Sequence, residues 1–353
     1  MIQRKKLYGL DILRSISVLI VFLFHANIHC GCTFGKLTKF ISQGAIFMDA
    51  FFLLSGFVLY YNYFDKCENV HDILIFYKKR FLSIYPLYVV LMLLYAVVHY
   101  HDLSLQKQVL LAPIEIFLLQ SHFSSIFNVA HNGGTWFVSC IAFCYFLFPL
   151  LLVISRLLHK KKLQIALLFL LYCICAIAPI VTIVFQTNMV YDSPFFRMLE
   201  FFMGMILAQF FMRKDKRVKQ SNFRIIFLSL GCAFLLVATI TVFVKIGFLY
   251  FLHYSFLSIP LFCVVIYALA LLDMERIKLF SSVFMQCVNK SYYAFFLAQH
   301  FTFDLYRFIN KYYGWSPGNK MSILELFSIC LVVTIIFNLI EIPVKKLLNK
   351  VFF

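Results

Sequence analysis

Residues 10–30 read LDILRSISVLIVFLFHANIHC. This is an apolar run of membrane-spanning length whose ionisable side chains include Arg14 and His25. At 100° and 1.5 Å per residue they lie on nearly the same face of a helix, about 16 Å apart along its axis. Asp11 stands three residues before Arg14, close enough to pair with it. Ionisable groups inside a bilayer are costly and turn towards a protein interior or a watery cavity. A cation at one end of the run and a proton-carrying imidazole towards the other suit chemistry conducted across a membrane.

The whole chain supports that setting. Of its 353 residues, 63% are hydrophobic and only 13% charged, and the mean hydropathy is +0.90. So few polar groups cannot cover a soluble domain, and the class implied is an all-α, polytopic membrane protein in contact with lipid. The net charge of +17 comes from basic residues placed between apolar runs, which reads as membrane topology, with no nucleic-acid partner. Most of the 11 cysteines fall inside apolar runs, where they behave as small hydrophobes and not as a disulfide framework. His29, Cys30 and Cys32 have metal-ligand chemistry, but neighbouring cysteines at a helix end commonly mean nothing, so no metal site is expected. Arg4, Lys5 and Lys6 before the first run imitate a signal peptide. The run is too long for one and no small-x-small cleavage site follows, so it is expected to stay as the first helix.

Ten apolar runs are long enough to span: 9–30, 44–63, 80–100, 136–157, 163–186, 195–212, 223–244, 249–272, 289–309 and 322–343. The stretch 109–121, interrupted by Pro113 and Glu115, is too short and reads as re-entrant or interfacial. With both termini in the cytoplasm, 23 of the 32 basic residues fall inside and 6 outside, as the positive-inside rule requires. The organisation expected is one integral membrane domain over 1–353, with no appended soluble domain. By helix rise, His25 and Asp49 share the outer layer of the bilayer, and Glu200 and Arg197 lie at comparable depth. Arg14, Lys78, Lys79, Arg80 and Glu341 mark the inner face.

Five segments then resemble, in order, the motifs of the acyltransferase-3 family of integral membrane O-acyltransferases. They are Leu10-Asp11-Ile12-Leu13-Arg14 with His25 following; Asp49-Ala50-Phe51-Phe52-Leu53-Leu54-Ser55-Gly56-Phe57; Arg80-Phe81-Leu82-Ser83-Ile84-Tyr85-Pro86; Trp136-Phe137-Val138 with Tyr145 and Pro149; and Glu341-Ile342-Pro343. The chain departs from that pattern at Ser83, where members often have a second arginine. It departs again at Ile141 and Ala142, where many have an acid, and at His300, one place later than the usual histidine.

The resemblance implies transfer of an acyl group, usually acetyl from cytoplasmic acetyl-CoA, to a hydroxyl of a cell-envelope glycan or lipid-linked saccharide. The implied location is the bacterial cytoplasmic membrane, with acetyl-CoA as donor substrate and no bound cofactor. His25 is then the expected general base, and Asp49 the carboxylate that orients it. Arg14 and Arg80 are expected to hold the donor, with Tyr85 lining its path. Trp136, Arg197, Glu200 and Glu341 are candidates for an acceptor site or for structural pairing. Ser55 and Gly56 read as a close helix contact and not as a nucleophile. The loop His131-Asn132-Gly133-Gly134-Thr135 could touch the acceptor. The competing function is a secondary transporter or flippase, but the chain has no visible repeat and few Gly or Pro to break its helices.

Overall fold

A computed structural model describes residues 5–98, 104–123, 133–185, 190–213, 227–228, 230–239, 256–272, 283–314 and 318–353. All regular structure among them is helical. The principal helices are α1 (Tyr8–Cys30), α2 (Phe47–Tyr63), α3 (Val70–Val98), α4 (Leu105–Ile116), α5 (Trp136–Leu157), α6 (Lys161–Phe185), α7 (Pro194–Arg213), α8 (Ser258–Leu271), α9 (Val283–Tyr313) and α10 (Asn319–Phe352). Six described segments have the length and apolarity to cross a membrane: Tyr8–Cys30, Gly44–Tyr63, Val70–Val97, Trp136–Leu157, Pro194–Arg213 and Met321–Phe352. The stretches expected to span at 163–186 and 289–309 are helical, as α6 and α9, and neither is among those six segments. Of the span over 223–244 only residues 227–228 and 230–239 are described, the latter including a short apolar helix, Leu230–Thr239; residues 249–255 of the span over 249–272 lie outside the described residues.

Boundaries differ from the sequence reading at several helices, α3 and α4 among them. Helix α3 begins ten residues before the expected start, because Asn69 caps it by accepting a hydrogen bond from the Asp72 amide at 2.9 Å. Lys78, Lys79 and Arg80 therefore sit within a helix and do not open one. Helix α4, 12 residues long, covers only about 18 Å and cannot cross a bilayer of ~30 Å. It lies against α3, whose Tyr85 and Tyr88 hydroxyls donate to the Ile116 and Glu115 carbonyls at 2.9 and 2.6 Å. These bonds satisfy acceptors that a helix C-terminus leaves open. The chain then turns inward. Gln120 and Ser121 are buried, and Ser139 of α5 donates to the Leu118 carbonyl.

Apolar side chains face outward along α5 at Phe146, Leu150, Val153 and Leu157, and along α10 at Leu324, Leu331, Ile335, Leu339 and Ile342. Outward apolar stripes on long helices are what a lipid environment accepts and water does not. The interior is aromatic. Phe22 of α1 packs on Phe295 and Phe303 of α9 and on Phe327 of α10, with centroids 5.5–5.7 Å apart.

The tightest contact joins α2 and α7. A Cβ placed on Gly56 would lie 1.8 Å from the Phe201 carbonyl oxygen, and one on Gly204 would lie 2.0 Å from the Leu53 carbonyl oxygen. The two backbones touch through paired glycines, as in small-residue contacts between membrane helices. Gly56 therefore serves the close contact that the sequence suggested. Gly204→Ala should lower stability by about 1–3 kcal/mol, since the added methyl meets rigid backbone on both sides. Thermal unfolding of the detergent-purified protein, with Gly231→Ala as the open-space control, measures this.

Candidate active site

The first helix presents His25 and His29 one turn apart, and α9 brings His300 against both. Ring centroids are 4.5 Å apart for His25–His300, 5.4 Å for His25–His29 and 5.3 Å for His29–His300. Phe303 packs on His25 and His29 from one side, and Phe24 packs on His25. Gly134, in the 3-10 turn Gly133–Thr135 that leads into α5, closes on His300. A Cβ there would be 2.3 Å from the His300 Cδ2. The suspected loop thus reaches the histidines through Gly134, while His131 and Asn132 lie outside the described residues. The Nδ1 atom of His25 is buried and has no hydrogen-bond partner. An imidazole nitrogen held in this way can accept a proton from a bound hydroxyl or ligate a metal ion. Among the described residues, the histidine and cysteine ligand atoms close enough to share an ion are those of His25, His29 and His300, not those of His29, Cys30 and Cys32.

Asp49 does not orient His25. Its Oδ1 pairs with Arg197 at 2.7 Å, and its other oxygen accepts a hydrogen bond from Ser258. The same Arg197 nitrogen reaches both oxygens of Glu200 at 2.8 and 2.9 Å, and Nε donates to the Tyr191 carbonyl. The rings of Phe52, Trp136 and Tyr191 stand 4.9–5.5 Å from the guanidinium. Depth along a helix had placed Asp49 level with His25, but depth does not say which faces meet. Asp49 looks from α2 to α7, across the glycine contact, and not to α1. Arg197, Glu200, Asp49 and Trp136 form one buried ionic cluster, walled by aromatic rings.

The second polar group lies at the other end of α1. Arg14 pairs with Asp11 at 3.4 Å, as its spacing implied, and its guanidinium stands 4.9 Å from the Tyr292 ring. Arg80 donates to the Tyr63 hydroxyl at 2.9 Å and is surrounded by the rings of Tyr63, Phe76 and Tyr145, with Nε buried and unpartnered. Tyr145 of α5 lies within electrostatic reach of both arginines and of Tyr292, so the two cations converge on one tyrosine pair. Ser83, where a second arginine was expected, bonds back to the Arg80 carbonyl. Tyr85 is committed to α4 and to stacking on Phe81 at 4.4 Å. Glu341 stands by Lys345 at 3.9 Å.

Sequence reasoning missed His29 and His300 as partners of His25, and Tyr145 as the link between Arg14 and Arg80. The spacing of His25 and His29 was a usable signal, since i and i+4 share a helix face. The approach of α9 left no local trace.

Comparison with known sequences now decides the class. The acyltransferase-3 profile, described as an acyltransferase domain, matches residues 7–341. The chain belongs to the acyltransferase-3 family. A curated relative, the acyltransferase MdmB of Streptomyces mycarofaciens, is 28% identical over 200 residues, covering 49% of this chain and 48% of the relative. The chain thus spans about half the length of that relative. No solved structure matches. The matched residues 7–341 contain both polar groups.

Because Arg197 is the cation paired with two buried carboxylates, Arg197→Met should cost about 3–5 kcal/mol, the usual result of stranding a buried charge. Adding Asp49→Asn and Glu200→Gln to that variant should recover most of the loss. Unfolding midpoints of the single and triple variants measure the difference.

Proposed function

We propose that this acyltransferase-3 protein is an O-acetyltransferase that moves acetyl from cytoplasmic acetyl-CoA to a hydroxyl of a cell-envelope glycan or lipid-linked saccharide. The observation that carries the reading is the buried, unpartnered Nδ1 of His25, on the same helix as Arg14. In the proposed reaction, His25 removes the proton of the acceptor hydroxyl. The oxygen attacks the thioester carbonyl, the carbon–sulfur bond breaks, and the proton leaves His25 to the departing thiolate. His300, at 4.5 Å between centroids, fixes the plane of the His25 ring by contact. Arg14 and Arg80 meet the anionic part of the donor, and Tyr145 and Tyr292 line its entry. The gap of about 16 Å between Arg14 and His25 along α1 is bridged by the extended arm of the donor.

This arrangement needs donor and acceptor on opposite sides of the bilayer. It goes with ten spans, both termini in the cytoplasm, and a place in a bacterial cytoplasmic membrane. The charge distribution between apolar runs supports that orientation.

The test is mass spectrometry of envelope glycans from cells carrying the wild-type protein, no copy, or His25→Ala. An alkali-labile acetyl increment should appear with the wild type alone. In membranes supplied with labelled acetyl-CoA, His25→Ala should reduce transfer by about 100- to 10,000-fold. Wild-type transfer by His25→Ala would remove the base assignment. An unchanged glycan profile in all three, with good expression, would move the acceptor to another class of molecule. Arg14→Ala and Arg80→Ala should raise the KM for acetyl-CoA more than they lower kcat at saturating donor. Steady-state kinetics with varied acetyl-CoA separate the two effects.

A further inference from the structure

The histidine cluster holds more imidazole than one general base requires. We propose that His25, His29 and His300 form a binding site for a divalent transition-metal ion of the zinc class, and that an ion bound there shuts off transfer. Their ligand nitrogens all lie within 4.8 Å of one another. Tetrahedral zinc with Zn–N bonds of about 2.0–2.1 Å needs nitrogens about 3.3 Å apart. In the proposed site, rotation of the half-buried rings closes that difference. His25 and His29 stand at i and i+4 on α1, the spacing at which a single helix offers two ligands to one ion, and α9 supplies the third.

A second observation points the same way. His25 Nδ1 is fully buried yet unpartnered, so a ligand that takes its lone pair removes an unmet polar group. Gly134 lies so close to His300 that any side chain in its place would strike the imidazole. The charged groups near the cluster are Asp304 and Arg307, both within electrostatic reach of His29 and His300. They pair with each other, and Tyr95 donates to Asp304 at 2.7 Å. The surroundings are therefore close to neutral, and three neutral imidazoles set the preference. Imidazole donors select zinc, copper, nickel and cobalt over magnesium or calcium. Three ligands leave a fourth position for water.

The inhibitory half rests on the reading of His25 as the base. An imidazole whose lone pair is shared with an ion cannot take a proton from the acceptor. Zinc at this site therefore competes with catalysis and does not assist it.

The experiment uses the full-length protein in detergent, stripped with chelator and titrated with Co2+, whose visible spectrum reports tetrahedral coordination. Stoichiometric binding, displaced by Zn2+, is expected. His29→Gln and His300→Gln should each weaken it by on the order of 100-fold, at least as much as the loss of an outer-shell partner costs. Gel filtration of each variant confirms that it remains folded. His29→Gln, at the helix end, is the variant less able to disturb the core. The Cys30→Ser, Cys32→Ser double variant should bind as the wild type does.

No tetrahedral Co2+ spectrum, or binding as tight as the wild type's in both histidine variants, would overturn the site and leave the base assignment standing. Loss in the cysteine double variant with retention in His300→Gln would overturn it in favour of a thiolate site. In the transfer assay, the ratio of activity with zinc to activity without it should rise towards one in His29→Gln. Zinc bound in the wild type with undiminished transfer would overturn the inhibition and remove His25 from the base role.

Discussion

The contact on which the rest of the bundle depends is the meeting of two helix backbones at Gly56 and Gly204. Between helices in lipid there is little hydrophobic gain to be had, so close dispersion contact and internal hydrogen bonds must hold them together. The glycines supply the first. The Asp49–Arg197–Glu200 cluster, a few residues away on the same two helices, supplies the second. Each needs the other. Without the close approach, Asp49 could not reach Arg197 across the interface. Without the ion pairing, three charged groups would lie unmatched in a medium that barely screens them.

On this frame stand two polar groups with different chemistry. The histidines of α1 and α9 are short, neutral and close together, suited to moving a proton or ligating an ion. Arg14 and Arg80, at the other end of α1 and on α3, are cations set among Tyr63, Tyr145 and Tyr292. There their guanidinium groups rest on the rings. Helix α1 ties the two groups to one rigid rod. Its face, readable at 100° per residue, is the part of the site that the amino-acid pattern made plain.

What the pattern showed well were properties of single helices. The apolar length of α1, the pairing of Asp11 with Arg14, the short reach of α4 and the packing role of Gly56 are all local. What it could not show was azimuth between helices. Asp49 and His25 have similar depth, and a triad was a fair inference from depth and from likeness to other acyltransferases, yet Asp49 faces α7. Pairing of Arg197 with Glu200 was one of two readings that the sequence left open, and their third member came from another helix. His300 stood one place away from its usual position in the family, and that shift drew attention from its place beside His25. The early start of α3 was legible in principle, since Asn69 is a common capping residue. It was hidden by the charges at 78–80, which look like the edge of a membrane span.

The bundle is also unequal in compliance. At the α2–α7 crossing there are no side chains to rearrange, and any slide drives carbonyl oxygen into backbone. The seam joining α1 to α9 and α10 is made of Phe22, Phe295, Phe303 and Phe327, whose rings can change tilt and still remain in contact. If helices must part to admit a bulky acceptor to His25, the work is least along that aromatic seam. The glycine-joined pair would then act as the fixed jaw of the opening, and α9, carrying His300, as the moving one.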